Sequence, residues 1–244
     1  MPYRFLTLDE AAEHLGLRRT ELERLVKARL IQFETRGERT VFRRQDLEDW
    51  ASRHILGAAG AESSRNDEPS WPHACTLSSA APLLPSLIRP EQIDAAMTAK
   101  TKAAVLHDLV EMAKRTGWVC DPRELTSSLQ AREALCSTAV PGGVAFLHPR
   151  AQDPYRFTAS FLLLGRTVCP IHYGAPDGLP TELFFMLGCQ EDRLHLHTLA
   201  RLCLVAQKTN VLEQLRAAPD SSAMHACLLA AEQAMLPTMS GVKR

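Results

Sequence analysis

Arg132-Glu133-Ala134-Leu135-Cys136-Ser137-Thr138 is followed, after a glycine-bearing turn, by Gly143-Val144-Ala145-Phe146-Leu147-His148-Pro149-Arg150. The second stretch reads as an apolar strand ending on an imidazole, in the same short region as a guanidinium and two hydroxyls. A satisfied core histidine is one reading of His148. The other is chemical: a neutral imidazole nitrogen attacks phosphorus near neutral pH and leaves readily, so it can carry a transferable phosphoryl group. Arg132 offers rigid paired donors for the charge on the equatorial oxygens, and Ser137 or Thr138 offers a hydroxyl hydrogen bond.

The elements that must position these groups lie between Arg89 and about Leu236. Pro90 opens a short helix over Glu91 to Ala95. A longer one runs from Lys102 to Lys114, with Val105, Leu106, Leu109, Val110 and Ala113 on one face and Gly117 ending it. Asp121 and Pro122 start a helix through Leu125 and Leu129 that presents Arg132. Strands are expected over Gly143 to His148, Phe157 to Leu164, Val168 to Tyr173 and Glu182 to Leu187. The runs Phe161-Leu-Leu-Leu and Leu183-Phe-Phe-Met-Leu lack strict alternation, which points to strands covered on both faces. Helices over Leu194 to Gln207, Val211 to Ala217 and Ser222 to Met235 close the chain. The pattern predicts a layered α/β domain with a mixed sheet.

The first 56 residues form a different plan. Thr7 or Asp9 caps a helix through Ala11, Ala12 and Leu15 that ends at Gly16. A second helix from Arg18 to Ala28 follows, then short strands over Leu30 to Glu34 and Arg39 to Phe42 around Gly37, and a last helix capped by Asp46. Leu15, Phe33 and Trp50 are assigned to the core. This order is that of a small winged helix-turn-helix. Phe5-Leu6-Thr7-Leu8-Asp9-Glu10-Ala11-Ala12 and Arg43-Arg44-Gln45-Asp46-Leu47-Glu48-Asp49-Trp50 resemble the opening and closing helices of excisionase-like and MerR-like DNA-binding families.

Arg18, Arg19, Arg24 and Lys27 on the second helix, with Arg36 and Arg39 in the wing, are the candidate contacts to phosphates or base edges of double-stranded DNA. Residues 1 to 56 hold 11 basic and 10 acidic side chains, a net of +1. So slight an excess gives weak DNA binding from a monomer, which favours a homodimer or a protein-docking role. Residues 57–88, rich in Gly, Ala, Ser and Pro, read as a flexible linker between the two blocks, 1–56 and 89–237.

The second block resembles the type-2 EIIA domain of the bacterial phosphoenolpyruvate-dependent phosphotransferase system, the fructose, mannitol and nitrogen-regulatory branch. The resemblance rests on Arg132, Glu133, Ser137, Thr138, Gly143 and His148 in order. It extends to Ala175-Pro176-Asp177-Gly178 and to Leu194-His195-Leu196-His197-Thr198-Leu199-Ala200. It implies that His148 accepts phosphate from a small phosphocarrier protein, that His195 is the auxiliary histidine, and that histidine-to-histidine transfer requires neither metal nor cofactor. Two departures bear on transfer. Where the family has Pro-His-Gly this chain has Leu147-His148-Pro149, so an N–H is lost and φ is fixed beside the site. The turn Ala139-Val140-Pro141-Gly142-Gly143 is also stiffer than usual.

Composition agrees with a globular protein: 244 residues, 45% hydrophobic and 23% charged, with 28 basic and 28 acidic side chains. The neutral balance excludes a global pull toward nucleic acid. No leader and no stretch of about eighteen apolar residues suggests a membrane contact, so a cytoplasmic protein is expected. The seven cysteines (75, 120, 136, 169, 189, 203, 227) make no CxxC pair and read as buried reduced thiols. These readings lead to a regulator whose α/β domain is phosphorylated on His148 and whose winged helix binds DNA or protein. The alternatives are a non-catalytic DNA-binding or adaptor protein, with the EIIA-like fold as a sensing or dimerisation module, and an EIIA component serving sugar import.

Overall fold

In the computed structural model the described residues are 5–37, 39–60, 81–150 and 156–236. The N-terminal part comprises β1 (Phe5–Thr7), α1 (Leu8–Leu15), α2 (Arg19–Lys27), β2 (Glu34–Arg36), β3 (Arg39–Arg43) and α3 (Arg44–Gly60). Thr7 caps α1 reciprocally: its Oγ1 accepts from the Glu10 amide, and Glu10 Oε2 accepts from the Thr7 amide at 2.9 Å. Gly16 ends the helix with φ 64°, a conformation that glycine adopts without a Cβ penalty. The strands form an antiparallel sheet of order β1-β3-β2, the wing of a winged helix-turn-helix. Leu15, Leu22, Phe42 and Leu47 fill its interior.

Three details differ from the sequence pattern. Phe5–Thr7 is a strand, because Leu6 pairs with Phe42. The hairpin begins only at Glu34, leaving Phe33 at the surface, 39% exposed, and Trp50 half-buried rather than enclosed. The last helix starts at Arg44, so Asp46 lies in its first turn, where its charge still favours the positive end of the helix dipole.

The second part runs β4 (Ile93–Met97), α4 (Lys102–Arg115), α5 (Pro122–Leu135), β5 (Ala139–Val140), β6 (Val144–Leu147), β7 (Phe161–Ile171), β8 (Thr181–Gly188), α6 (Asp192–Lys208), α7 (Val211–Ala217) and α8 (Ser221–Met235). Its sheet has the order β4-β7-β8-β6-β5, with β4/β7 and β6/β8 parallel and β7/β8 and β5/β6 antiparallel. Alternate residues serve opposite faces: Leu162, Leu164, Phe146 and Phe185 join the core under α6–α8, while Leu163, Leu147, Phe184 and Met186 join that under α4 and α5. Helices cover both faces of the central strands, as the unbroken apolar runs require.

The helix expected over Glu91 to Ala95 is instead a 3₁₀ turn, Pro90–Gln92, leading into β4. Parallel pairing with β7 outweighs the helical preference of its alanines. A Cβ at Gly165 would overlap Met97 Sδ, so the absent side chain makes room for the Met97 thioether packed there. The two strands expected over 157–164 and 168–173 form the single strand β7, whose pairing with β8 is irregular between Arg166 and Ile171. Among the described cysteines, 189 and 203 are buried, but 120, 136 and 169 are exposed; Cys75 lies outside the described residues.

Both ends of the segment 57–88, expected as linker, are structured. Helix α3 continues to Gly60, and Leu84, Leu87 and Ile88 are buried; residues 61–80 lie outside the described residues. Glu232, fully buried on α8, fixes the start of the second part. Its carboxylate accepts from the Leu83 and Leu84 amides at 2.9 and 3.0 Å and from Arg201 Nη1 at 3.0 Å. Glu232→Ala strips these three donors, the Leu84 amide and Arg201 buried and the Leu83 amide half-buried, of this acceptor, and a loss of about 3 kcal/mol is expected. Urea unfolding checks it, and a loss below about 1 kcal/mol would contradict the clamp.

Candidate functional site

Helix α5 is anchored by Asp121, whose side chain accepts from the Arg123 and Glu124 amides at 2.8 and 3.1 Å, and Arg132 projects from its last turn. Strand β6 ends at Leu147, and His148 follows it. Two residues on from Phe146, His148 keeps the α6 face of the sheet and meets His195 of α6, ring centroids 5.0 Å apart. Arg132, His148 and His195 are each at most 2% exposed.

The polar contacts determine the tautomer of His148. Arg132 Nε donates to His148 Nε2 at 3.0 Å, so Nε2 must be an acceptor. His148 Nδ1 lies 2.9 Å from the Phe146 carbonyl oxygen, which can only accept, so Nδ1 carries the proton. Burial first, then Arg132 and His195, hold the His148 pKa well below the usual 6.5. The result is a neutral imidazole whose reactive lone pair is on Nε2, beside a fixed cation. Arg132 Nη1 donates to the Cys136 carbonyl at 3.0 Å, while buried Nη2 makes no hydrogen bond among the described residues. A guanidinium with an uncommitted buried donor next to a nucleophilic nitrogen is an anion-holding arrangement.

Ser137 and Thr138 serve the backbone that carries this pair. Ser137 Oγ donates to the Tyr173 carbonyl at 2.8 Å and accepts from the Ala139 amide at 3.2 Å. Thr138 Oγ1 donates to the Glu133 carboxylate, which also accepts from the Thr138 amide. Burial raises the Glu133 pKa against the pull of these hydrogen bonds. The two hydroxyls thus fix the passage from α5 to β5 rather than pointing at His148. Gly142 and Gly143, at φ 94° and 73°, turn the chain into β6, and Asp177 Oδ2 receives the Gly142 amide at 3.3 Å. Beyond His148, Pro149 is buried, and the Arg150 amide donates to Ser128 Oγ of α5 at 3.1 Å.

A second polar cluster, missed in the sequence, joins the two parts of the chain. Arg44 of α3 donates from Nε to Asp192 Oδ2 of α6 at 2.5 Å and to Glu48 Oε1 at 3.2 Å. His14 of α1 completes it, with Nδ1 3.6 Å from Asp192 and Nε2 3.8 Å from Glu48. These histidine and carboxylate atoms lie within 4.8 Å of one another, a spacing also open to a metal ion. Arg44 already supplies the cation there, so the cluster reads as an ion-pair latch.

The sequence profile of the family "Phosphoenolpyruvate-dependent sugar phosphotransferase system, EIIA 2" matches residues 86–231, the region that holds Arg132, His148 and His195. The chain belongs to this family. A helix-turn-helix domain profile matches residues 5–54. A nitrogen regulatory protein of Bradyrhizobium diazoefficiens is 32% identical over 147 residues, 58% of this chain and 92% of that protein. One of Pseudomonas aeruginosa is 28% identical over 127 residues, 51% of this chain and 80% of that protein. The solved nitrogen regulatory protein IIA-Ntr of Neisseria meningitidis has 25% identity and a TM-score of 0.52, covering 57% of this chain and 94% of that one. IIA mannitol of Escherichia coli, at 18% identity and a TM-score of 0.51 over 58% of this chain and 98% of its own, shares the fold. The chain is a helix-turn-helix domain fused to an EIIA type-2 domain, and its family ties it to phosphotransfer-linked signalling. Among the described residues no helix is long and apolar enough to cross a membrane.

The candidate DNA contacts lie on the helix-turn-helix domain, several of them already paired. Arg18 meets Glu21 at 2.8 Å, Arg19 meets Asp9 and Glu23, and Arg36 meets Glu34 at 3.5 Å while covering the Phe5 ring. Arg24 and Lys27, three residues apart on α2, are exposed, as is Arg39 in β3.

In the EIIA domain His195 is buried, and burial outweighs the pull of Asp192 to push its pKa down to about 4, with Arg132 adding to the lowering. A histidine that folding keeps neutral takes up its proton only in the unfolded chain once the pH falls below the ordinary 6.5. Stability from this group is therefore full above 6.5 and falls until about pH 4, by roughly 2 kcal/mol between pH 7.5 and 5. Urea unfolding at the two pH values should show the wild type losing that much more than His195→Gln. Equal losses would mean that His195 is not held neutral.

Proposed function

We propose that the chain is a phosphotransferase-system regulator in which a phosphocarrier protein reversibly phosphorylates His148 and the helix-turn-helix domain binds DNA or a protein partner. The observation that carries this reading is the Arg132–His148 pair, with Nε2 held as a lone-pair acceptor 3.0 Å from Arg132 Nε and buried Arg132 Nη2 uncommitted. The Nε2 lone pair attacks the phosphorus of the carrier's phosphohistidine. A new N–P bond forms as the carrier's N–P bond breaks, and that electron pair returns to the carrier's imidazole. Nδ1 keeps its proton on the Phe146 carbonyl, which steadies the positive ring of the product.

Arg132 then turns its donors to the phosphoryl oxygens, and the charge they meet is already desolvated, so little reorganisation is needed. His195 backs the reacting ring from α6, and the apolar strand ends keep water from the product. Ser137 and Thr138 act as positioning residues, through Tyr173 and Glu133. Pro149 replaces an amide that would otherwise face the phosphate, which leaves Arg132 as the principal anion donor. On the helix-turn-helix side, Arg18, Arg19, Arg24, Lys27, Arg36 and Arg39 supply phosphate contacts. Their partial neutralisation by neighbouring acids favours binding as a homodimer.

The test mixes the full chain with phosphoenolpyruvate, Enzyme I and the phosphocarrier and follows intact mass. Wild type should gain one acid-labile phosphoryl group, His148→Ala none, and Arg132→Gln should react about 10²-fold more slowly. Modification of His148→Ala to the wild-type extent, or none of the wild type while the carrier phosphorylates another EIIA protein, would refute the reading. In the latter case the α/β domain would stand as a sensing or dimerisation module.

A further inference from the structure

The two halves of the chain share one interior. A continuous cluster of buried apolar residues runs from Leu6, Leu22, Leu47 and Ile55 of the helix-turn-helix domain to Phe146, Leu199 and Leu228 of the EIIA domain. Helix α3 is seated against α6 and β5, and α1 also against α6. These are the elements around the site: α6 carries His195, and β5 borders β6, whose end carries His148. The Arg44–Asp192 ion pair fixes the docking at the first residue of α6, one helical turn before His195.

In this arrangement His148 is 2% and His195 1% exposed. A donor histidine on another protein cannot reach Nε2 in line with a phosphorus atom through such a surface, because attack needs approach to about 3 Å. Asp49, one residue beyond Glu48 and half-buried, lies within electrostatic reach of Arg150 and Arg132. Burial raises its pKa, and Arg150 and Arg132 draw it back down. The helix-turn-helix domain therefore sets a carboxylate within reach of the charges of Arg150 and, less strongly, of the Arg132 that the phosphoryl group would use.

Resting on the phosphocarrier reading above, we propose that the docked helix-turn-helix domain is an inhibitory cover of the phosphoryl site, and that phosphate on His148 expels it. Phosphate brings about two negative charges and claims the donors of Arg132. Asp49 then faces a like charge in place of a counter-ion, and Glu48, on the same helix, already faces Asp192 of α6 across the interface. Docking and phosphorylation become mutually exclusive. The carrier captures the undocked fraction, and phosphorylation holds the helix-turn-helix domain free for its own partner.

The experiment uses the full chain as wild type, Arg44→Glu, which sets a third carboxylate beside Asp192 and Glu48, and Asp49→Asn, a near-isosteric change. Two quantities are read: the rate of phosphate uptake from phosphorylated carrier by quenched-flow mass measurement, and hydrogen exchange of α3 and the start of α6. Both variants should accept phosphate faster, Arg44→Glu by about tenfold, with raised exchange in these segments. Fully phosphorylated wild type should show the same raised exchange. If Arg44→Glu proves misfolded by circular dichroism, Asp49→Asn carries both readouts. Raised exchange with an unchanged rate, or phosphorylated wild type with α3 still protected, overturns the cover and leaves the phosphocarrier reading standing. Unchanged exchange in both variants overturns the cover as well. No phosphate on any of the three, from a carrier competent on another EIIA protein, overturns both.

Discussion

The hydrogen bond from Arg132 Nε to His148 Nε2 is the contact on which the rest of the site depends. An arginine can only donate and a carbonyl can only accept, so the pair of contacts around His148 leaves one tautomer. To bring a guanidinium and an imidazole into that geometry, α5 must stop just after Arg132 and β6 must stop just before His148. Glu133 holding Thr138, Ser137 holding Tyr173 and the positive-φ glycines at 142 and 143 set the path between them. The chemistry then follows from burial: a buried cation strengthens any anion that reaches it and keeps the imidazole beside it neutral.

The same burial gives the N-terminal domain its place. A domain of about fifty residues encloses little apolar surface, and this one extends its interior by docking on α6 and β5. The polar part of the interface is charged and partly enclosed, with Asp192 only 4% exposed and Arg44 39%. Hydrophobic contact supplies adhesion there, while the charges supply register and sensitivity to any new charge nearby.

The helices of the EIIA domain were legible because their apolar residues recur at helical spacing and their ends carry signals such as Asp121-Pro122 and Gly117. The central strands were legible from their unbroken apolar runs, and the Arg132, Ser137, Thr138 and His148 order because those four lie within seventeen residues of one another. Elements set by distant partners were not. β4, with its Ala95-Ala96, has a helical composition, and only pairing with β7 across Gly165 makes it a strand. β7 looked like two strands because Gly165, Arg166 and Thr167 interrupt the apolar run, although Arg166 is held by the Ala95 carbonyl and the end of α7. The latch joins Arg44 to a residue 148 positions away, and no local pattern announces such a pair. The types of Ser137 and Thr138 and their place in the family motif suggest donors to phosphate, and only the fold shows the Tyr173 carbonyl and Glu133 carboxylate that their hydroxyls meet.

The central claim is that His148 stands ready as a neutral imidazole with its lone pair on Nε2. Nitrogen-15 NMR of the histidine side chains, with His148 assigned by the His148→Asn spectrum, tests it directly. The structure predicts a protonated, pyrrole-like Nδ1 and a pyridine-like Nε2 at pH 7, unchanged to well below pH 6.5. A ring that titrates near 6.5, or that carries its proton on Nε2, would contradict the Arg132–His148 hydrogen bond and the nucleophilic role proposed for it.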